Sequence, residues 1–348
     1  MSEWRKDPIV DRWVIISTER GKRPNDYKEI WGQKNTLECP LCEGKEKLTP
    51  PEIIAYREPA SQKDTPGWWV RVVPNKFPAV NIEGEPSLRQ MGIYQVMNGV
   101  GAHELIIETT HHEPSLDAQT VKQVEEVIWI WRDRSMDLRK DSRMKYIQIF
   151  KNTGPVAGAS LEHTHSQLIA TPLVPVEVSQ ELEGVKAYHA RHGTCVYCDM
   201  IRQEAAEKER VIIDSEHFFC FSPYASRFPF ETWILPKEHQ HDFGQIHEEL
   251  VRDLAGVFRA ILRKLAVLIK NMPYNVVLHT SPVNTQEEIH YHWHLEIMPR
   301  LTIMAGFELG TGYFINPTSP EIAAQAMREV IEFYSLQEKP VKEVYQYV

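Results

Sequence analysis

Hydrophobic and polar positions along this chain follow two periods that alternate. Short apolar runs such as 105–107, 146–150 and 233–235 are typical of β-strands. Apolar residues spaced three or four apart over 117–139 and 246–270 instead predict long amphipathic helices, and 320–337 predicts a closing helix. Strands that alternate with one long helix in each half indicate an α+β fold, in which sheets pack against helices.

The same order of elements occurs twice. In each half a Cys-x-x-Cys pair is followed by a strand that ends at a histidine, then by a helix, a second strand and a histidine cluster. Four markers recur after 127 residues: His112 and His239, His163 and His290, His165 and His292, and Pro172 and Pro299. The repeat predicts two duplicated domains, 1–178 and 194–348, joined by a charged helical connector over 179–193.

Composition excludes several classes of protein. The chain has 348 residues, 42% of them hydrophobic, and its 39 basic and 48 acidic residues give a net charge of −9, which is ordinary for a globular protein. The basic residues are scattered, so we expect no nucleic-acid partner. Neither a signal peptide nor an apolar run of about 18 residues is present in the sequence, so we expect no membrane partner and a cytoplasmic location.

Four of the five cysteines form two Cys-x-x-Cys pairs. They are Cys39 and Cys42 in the first half, and Cys195 and Cys198 in the second. In a reducing compartment such pairs indicate metal or redox sites. Zinc prefers thiolate and imidazole ligands in a tetrahedron, and His112 and His163 are the candidates to complete the first site. A redox pair has the same spacing, but two copies followed by histidines favour two zinc ions per chain. Cys220 is predicted to be a buried apolar position.

A loop of small residues, 152–160, precedes the cluster His163-Thr-His165-Ser-Gln167. Small residues let backbone N–H groups approach phosphate oxygens, and Ser160 adds a hydroxyl donor. A neutral imidazole beside such a loop can attack phosphorus and form a reactive phosphoryl adduct. The alternative is that these histidines lie in the core or on the surface after a flexible loop.

A small basic cluster, 19–24, is a third candidate. Guanidinium groups match phosphate geometry, so Arg20 and Arg23 could hold a diphosphate. A solvated charged turn has the same composition.

Taken together, these motifs resemble the galactose-1-phosphate uridylyltransferase family, the transferase branch of the histidine-triad superfamily. The motifs are 7–14, 20–24, Cys39/Cys42, 71–75, 158–160, 163–167, 215–217, 223–224, 228–230, 236–239, 292–293 and 306–308. The resemblance covers nearly the whole chain. It implies two duplicated histidine-triad-like domains, each an antiparallel sheet with packed helices, a homodimer, and ping-pong transfer of a nucleoside monophosphate.

The resemblance also implies roles for single residues. His165 is the nucleophile that becomes nucleotidylated, while Gln167 steadies the phosphoryl group and Ser160 binds phosphate. Other expected substrate-binding residues are Arg20, Arg23, Asn75, Asn152, Gly158, Ala159, Phe307, Glu308, Thr311 and Gly312. We therefore expect transfer of a uridylyl group from UDP-glucose to a hexose 1-phosphate, galactose 1-phosphate, through uridylyl-His165. A covalent intermediate divides this reaction into two similar displacements at one site.

Three features depart from the usual pattern of that family. The second cysteine pair and the tail 306–317 resemble the plant ADP-glucose phosphorylase branch, and Phe307 stands where a tyrosine is common. An adenylyl-transferring phosphorylase, acting on ADP-glucose or a dinucleotide, is therefore the alternative within the same chemistry. A zinc-stabilised nucleotide-binding module without catalysis is the alternative from another class. The internal repeat points to His290 as the last ligand of the second metal site, whereas the resemblance points to His292, which we predict.

Overall fold

The computed structural model describes residues 3–10, 12–16, 39–112, 115–286 and 288–335. Its strands are β1 (Glu3–Lys6), β2 (Trp13–Ile16), β3 (Ile54–Arg57), β4 (Trp68–Pro74), β5 (Leu88–Met91), β6 (Tyr94–Met97), β7 (Ala102–Ile107), β8 (Tyr146–Thr153), β9 (His165–Thr171), β10 (Val211–Asp214), β11 (Phe218–Phe221), β12 (Thr232–Pro236), β13 (Tyr274–His279), β14 (His294–Pro299) and β15 (Phe314–Asn316). Its helices are α1 (Val121–Leu138), α2 (Val176–His192), α3 (Val196–Glu207), α4 (Glu248–Leu268), α5 (Gly306–Thr311) and α6 (Pro320–Ser335).

One sheet of ten strands forms the centre of the fold. Its order is β10-β11-β12-β14-β13-β8-β9-β7-β4-β3, and the neighbouring strands are antiparallel. The predicted α+β class with antiparallel sheets is confirmed, but the half-sheets of the two repeats join edge to edge where β8 pairs with β13. A site on β8 or β9 can therefore receive side chains from both halves.

The long helices cover this sheet and share its core. α1 contacts β4 and β8, α4 contacts β11, and the two helices pack on each other. Along α4 the buried residues Leu250, Leu254, Phe258, Ile261 and Leu265 recur every three or four positions, as a helix with one apolar face requires. The helices predicted over 117–139, 246–270 and 320–337 are confirmed as α1, α4 and α6.

The predicted connector over 179–193 lies mainly within α2. This helix is capped at its C-terminus by Gly193, whose φ of 72° lies in the left-handed region that glycine adopts without a steric penalty. Val178, Leu182 and Val185 are buried in an apolar cluster with residues of β11 and β12. The segment between the halves is thus packed against the second repeat. The division into domains 1–178 and 194–348 stays a prediction.

Candidate active site

The histidine cluster lies at the start of β9, between β7 and β8. Alternate residues of a strand face the same side, so His165 and Gln167 share one face of the sheet. The loop between β8 and β9 contains Ser160 and turns at Gly154 and Gly158, whose φ values of 81° and 89° favour glycine. The residues predicted to cradle phosphate therefore belong to the loop that leads into the strand of the predicted nucleophile.

His165 is only 4% exposed, and its ring has a defined orientation. Its Nδ1 lies 2.7 Å from the backbone oxygen of His163. Since a carbonyl oxygen can only accept, Nδ1 carries the proton and the lone pair is on Nε2. Burial lowers the pKa of His165 below its usual value, so the ring is neutral near pH 7. A neutral imidazole with one oriented lone pair can act as a nucleophile.

A buried ion pair supports the backbone beneath His165. Lys151 Nζ lies 2.6 Å from Glu108 Oε2 and also donates to Thr164 Oγ1 at 2.7 Å and to the His165 carbonyl at 3.1 Å. The Lys151 and Glu108 side chains are 2% and 0% exposed. No sequence motif marks this pair, although a lysine within the apolar run of β8 indicates a buried partner.

Asn275, in the second repeat, also contacts this loop. It lies opposite Asn152 in the β8–β13 pairing, and its Nδ2 donates to Asn152 Oδ1 and to the Ala157 carbonyl, both at 2.8 Å. Asn152 therefore directs its NH₂ group elsewhere, and this group lies 3.7 Å from the position that a Cβ at Gly158 would occupy. Only the tertiary structure reveals the role of Asn275, because its partners lie more than 100 residues away.

Two other predicted residues, Asn75 and Gln167, contact the same histidine, His103, which belongs to no sequence motif. Asn75 follows β4, and its Nδ2 lies 3.1 Å from His103 Nε2. The same ring nitrogen lies 3.0 Å from Gln167 Oε1. Asn75, His103 and Gln167 thus form a chain of polar side chains that ends two residues from His165.

Four of the predicted substrate-binding residues make no hydrogen bond to the described residues of this site. Phe307, Glu308 and Thr311 lie in α5 and Gly312 ends it, and in the part of the chain that the structure describes, the hydrogen bonds of these four residues stay within 305–313. Arg20 and Arg23 lie outside the described residues. Ala159 is in the loop itself, where its N–H donates to the Gly154 carbonyl.

The first cysteine pair forms a group that could hold a metal ion. Its members are Cys39, Cys42, His112 and His163, whose ligand atoms lie within 4.8 Å of one another. The distances from sulfur to imidazole Nδ1 are 3.5, 3.6 and 3.8 Å. They agree with the separation of about 3.6 Å between such ligand atoms in a tetrahedral zinc site. His163 Nε2 lies 2.8 Å from the Thr109 carbonyl, which fixes the ring as at protein zinc sites. The donor set fits zinc.

The second pair forms a matching group. Its members are Cys195, Cys198, His239 and His292. Sulfur and Nδ1 atoms are 3.6 to 3.8 Å apart, and Nε2 of each histidine lies 2.8 or 2.9 Å from a backbone carbonyl. The structure thus groups His292 with the cysteines, whereas the ring of His290 stacks on His189.

The repeat consequently has a different register in its last strand. His163 corresponds to His292, not to His290 as the 127-residue offset predicts, and His165 corresponds to His294, 129 residues later. Like His165, His294 places its Nδ1 near the carbonyl oxygen two residues before it, at 3.0 Å. The physical reason is a difference in length. The second half has two more residues between His239 and the start of β14 than the first half has between His112 and the start of β9.

The second repeat has no open site at this position within the described residues. His294 is fully buried and packs on Trp233 and Tyr197. Another neighbour is His279, and with Glu181 these two histidines form a further group of potential ligands that no sequence motif marks. Burial opposes the charge of His279, but Glu181 and Glu296 outweigh it and raise its pKa to about 9. A divalent cation would have to displace that proton.

Known proteins are similar to this chain over most of its length. The family model for the N-terminal domain of galactose-1-phosphate uridyl transferase matches residues 1–175, and a domain of unknown function, DUF4921, matches residues 99–341. The chain is 38% identical to ADP-glucose phosphorylase of Arabidopsis thaliana, over 94% of this chain and 93% of that protein. It is 30% identical to galactose-1-phosphate uridylyltransferase of Thermotoga maritima, over 94% of this chain and 98% of that protein.

Solved structures agree with these similarities. The crystal structure of an ADP-glucose phosphorylase from Arabidopsis thaliana with bound ADP-glucose has a TM-score of 0.81 and 36% identity, over 95% of this chain and 99% of that one. A structure of uridylyltransferase has a TM-score of 0.75 and 28% identity, over 96% of this chain and 99% of that one.

Each helix within the described residues is too short or too polar to cross a membrane.

Proposed function

Because this chain belongs to the galactose-1-phosphate uridylyltransferase family and is an enzyme that transfers a nucleoside monophosphate, we propose that His165 carries the nucleotidyl group. The donor is UDP-glucose and the acceptor is a hexose 1-phosphate, galactose 1-phosphate. The observation that carries the proposal is the buried, neutral ring of His165, whose Nδ1–H is held by the His163 carbonyl next to the glycine-rich loop.

The reaction is two displacements at phosphorus. His165 Nε2 attacks the α-phosphorus of UDP-glucose, a P–N bond forms, and the P–O bond to glucose 1-phosphate breaks and releases that product. An oxygen of galactose 1-phosphate then attacks the same phosphorus, the P–N bond breaks, and UDP-galactose leaves with His165 free again. The His163 carbonyl accepts Nδ1–H throughout, so it stabilises the positive charge on the ring when Nε2 is bonded.

The other residues bind and orient the substrate. Gln167 shares the face of His165, so its amide steadies the phosphoryl oxygens, and Ser160 with the N–H groups of Gly158 and Ala159 binds phosphate. Asn152 and Asn75 contact the nucleotide. By resemblance to the family alone, further substrate contacts are assigned to Arg20, Arg23, Phe307, Glu308, Thr311 and Gly312.

A second candidate is transfer of an adenylyl group from ADP-glucose to inorganic phosphate. The observation that favours it is the higher similarity to ADP-glucose phosphorylase, at 38% against 30% identity and with a TM-score of 0.81 against 0.75. Incubation with each nucleotide sugar, followed by the intact mass of the protein, distinguishes the two: a uridylyl adduct supports the first candidate and an adenylyl adduct the second. Bound nucleotide with neither an adduct nor glucose 1-phosphate release would leave only a binding module.

Zinc at the two cysteine groups is part of the proposal. Four protein ligands in each group leave no open position, so the metal is structural: it joins distant segments and fixes His163 next to the nucleophile.

We expect metal analysis to find about two zinc ions per chain. Cys195→Ser should reduce this to about one and leave labelling of His165 intact, whereas Cys39→Ser should also reduce it to one but slow labelling, because His163 holds His165. Cys220→Ala is the matched control, since this buried thiol lies outside both groups and both ions should remain. Two ions retained in Cys39→Ser would contradict the assignment.

We also propose that the enzyme is a homodimer in the cytoplasm. The hairpin of β5 and β6 supports a dimer: it is a separate two-stranded sheet whose Leu88, Met91, Ile93 and Tyr94 are all at least 62% exposed, and exposed apolar patches are typical of protein interfaces. Five free thiols agree with a reducing compartment. Light scattering should give about twice the chain mass of 40.4 kDa, and the monomer mass would contradict the dimer.

A further inference from the structure

His103 occupies a place in the site that none of the roles above explains. It lies on β7, next to the strand that holds Gln167, and its half-buried ring contacts three groups. The Ala79 N–H lies 3.1 Å from Nδ1, Gln167 Oε1 lies 3.0 Å from Nε2, and Asn75 Nδ2 lies 3.1 Å from Nε2. These contacts determine where the ring carries its proton.

The Ala79 contact comes first, because a backbone N–H can only donate. His103 Nδ1 must therefore be the acceptor and carry no proton. A neutral imidazole has one N–H, so the proton of His103 is on Nε2. The backbone of one loop thus fixes the tautomer of a side chain on β7.

The acceptor of that proton follows from the neighbouring amides. Asn75 Oδ1 already accepts the Phe77 N–H at 2.9 Å, so the group of Asn75 that faces His103 is its NH₂. This NH₂ can neither accept the Nε2 proton nor donate to a nitrogen that carries one, so its 3.1 Å contact with Nε2 is not a hydrogen bond. Gln167 Oε1 is left as the acceptor of His103 Nε2–H. With its oxygen held in this way, Gln167 directs its NH₂ group away from His103.

We propose that His103 is a positioning residue that orients the Gln167 amide, so that its NH₂ donates to the phosphoryl oxygens during transfer. The inference rests on the proposed function, in which Gln167 faces the nucleotidyl group on His165. Without the His103 proton, the two ends of the amide would be free to exchange, and an oxygen turned toward the phosphoryl group would repel it. A preorganised donor contributes most in the transition state.

The test is a double-mutant cycle on single-turnover labelling of His165 with UDP-glucose and with ADP-glucose. His103→Ala should slow labelling about 10- to 100-fold with little change in KM, as expected when a donor loses its orientation. In the Gln167→Ala background the same substitution should have almost no further effect, because the group that His103 orients is absent. His103→Gln, which keeps one acceptor and one donor, should recover part of the rate.

His247→Ala is the matched control, since this exposed histidine precedes α4 and its side chain does not cap the helix. Should His103→Ala fail to fold, His103→Leu fills the space without a donor and takes its place in the cycle. Equal slowing in both backgrounds, or no slowing at all, would overturn the inference. Absence of any adduct on the unaltered protein would instead refute the proposed function, so the two failures can be told apart.

Discussion

His165→Gly is expected to lose covalent nucleotide labelling completely. The substitution removes His165 Nε2, the proposed nucleophile; Nδ1 of the same ring is held by the His163 carbonyl, and the corresponding His294 of the second repeat is fully buried. Turnover should fall about 10³- to 10⁶-fold, the scale on which loss of a covalent nucleophile acts. Intact mass after incubation with UDP-glucose or ADP-glucose measures the first effect, and release of glucose 1-phosphate measures the second.

The control for this experiment makes the same substitution, histidine to glycine, at another histidine. His247→Gly also removes an imidazole, but from an exposed position before α4, and should label like the unaltered protein. Retention of zinc by His165→Gly shows that the neighbouring His163 still binds its metal. An adduct that persists in His165→Gly would place the nucleophile elsewhere and end the proposed mechanism.

Lys151→Met should give the largest loss of stability. It leaves the Glu108 carboxylate buried without its cation, and breaking a buried pair in this way costs about 3–5 kcal/mol of unfolding free energy. The Lys151 ammonium also donates to the His165 carbonyl, so labelling should slow in the protein that remains folded. Denaturant unfolding measures the first effect and single-turnover labelling the second.

Two further variants test whether the loss of stability comes from breaking the buried pair or from removing any charged side chain. Lys151→Met combined with Glu108→Leu removes both charges and should recover most of the stability, since an apolar pair of similar size is tolerated in the core. Lys122→Met breaks pairs with Glu125 and Glu126 at the surface, where Lys122 is 69% exposed. It should change the unfolding free energy by less than about 1 kcal/mol. Similar losses for Lys151→Met and Lys122→Met would contradict the assigned role.

Much of the fold could be predicted from local patterns. The amphipathic period located α1, α4 and α6 to within a few residues, because one apolar face of each helix meets the core. The union of the half-sheets could not be predicted in this way. It depends on the pairing of β8 with β13, strands more than 100 residues apart in the sequence, whose edges carry no separate pattern.

The residues of the candidate site also fall into two groups, those that local sequence patterns predict and those that depend on distant strands. The Cys-x-x-Cys spacing places two sulfurs within one turn, so both cysteine pairs were identifiable, and the glycine-rich loop before His165 was equally local. His103, Asn275 and the Lys151–Glu108 pair were missed, since their importance lies in partners on other strands. The repeat offset assigned His290 wrongly for a similar reason: a two-residue difference in loop length is visible only when the strands are aligned in space.

The sequence by itself determined the residue types that the chemistry needs and their local order: paired thiols, a loop of small residues, and histidines two residues apart where a strand begins. Local spacing is sufficient there because neighbouring residues in a turn or strand have few possible arrangements. The tertiary structure alone decided which ring nitrogen of His165 carries the proton and how the second repeat reaches the site through Asn275. Those outcomes depend on hydrogen bonds across the sheet, which form only when distant strands are packed side by side.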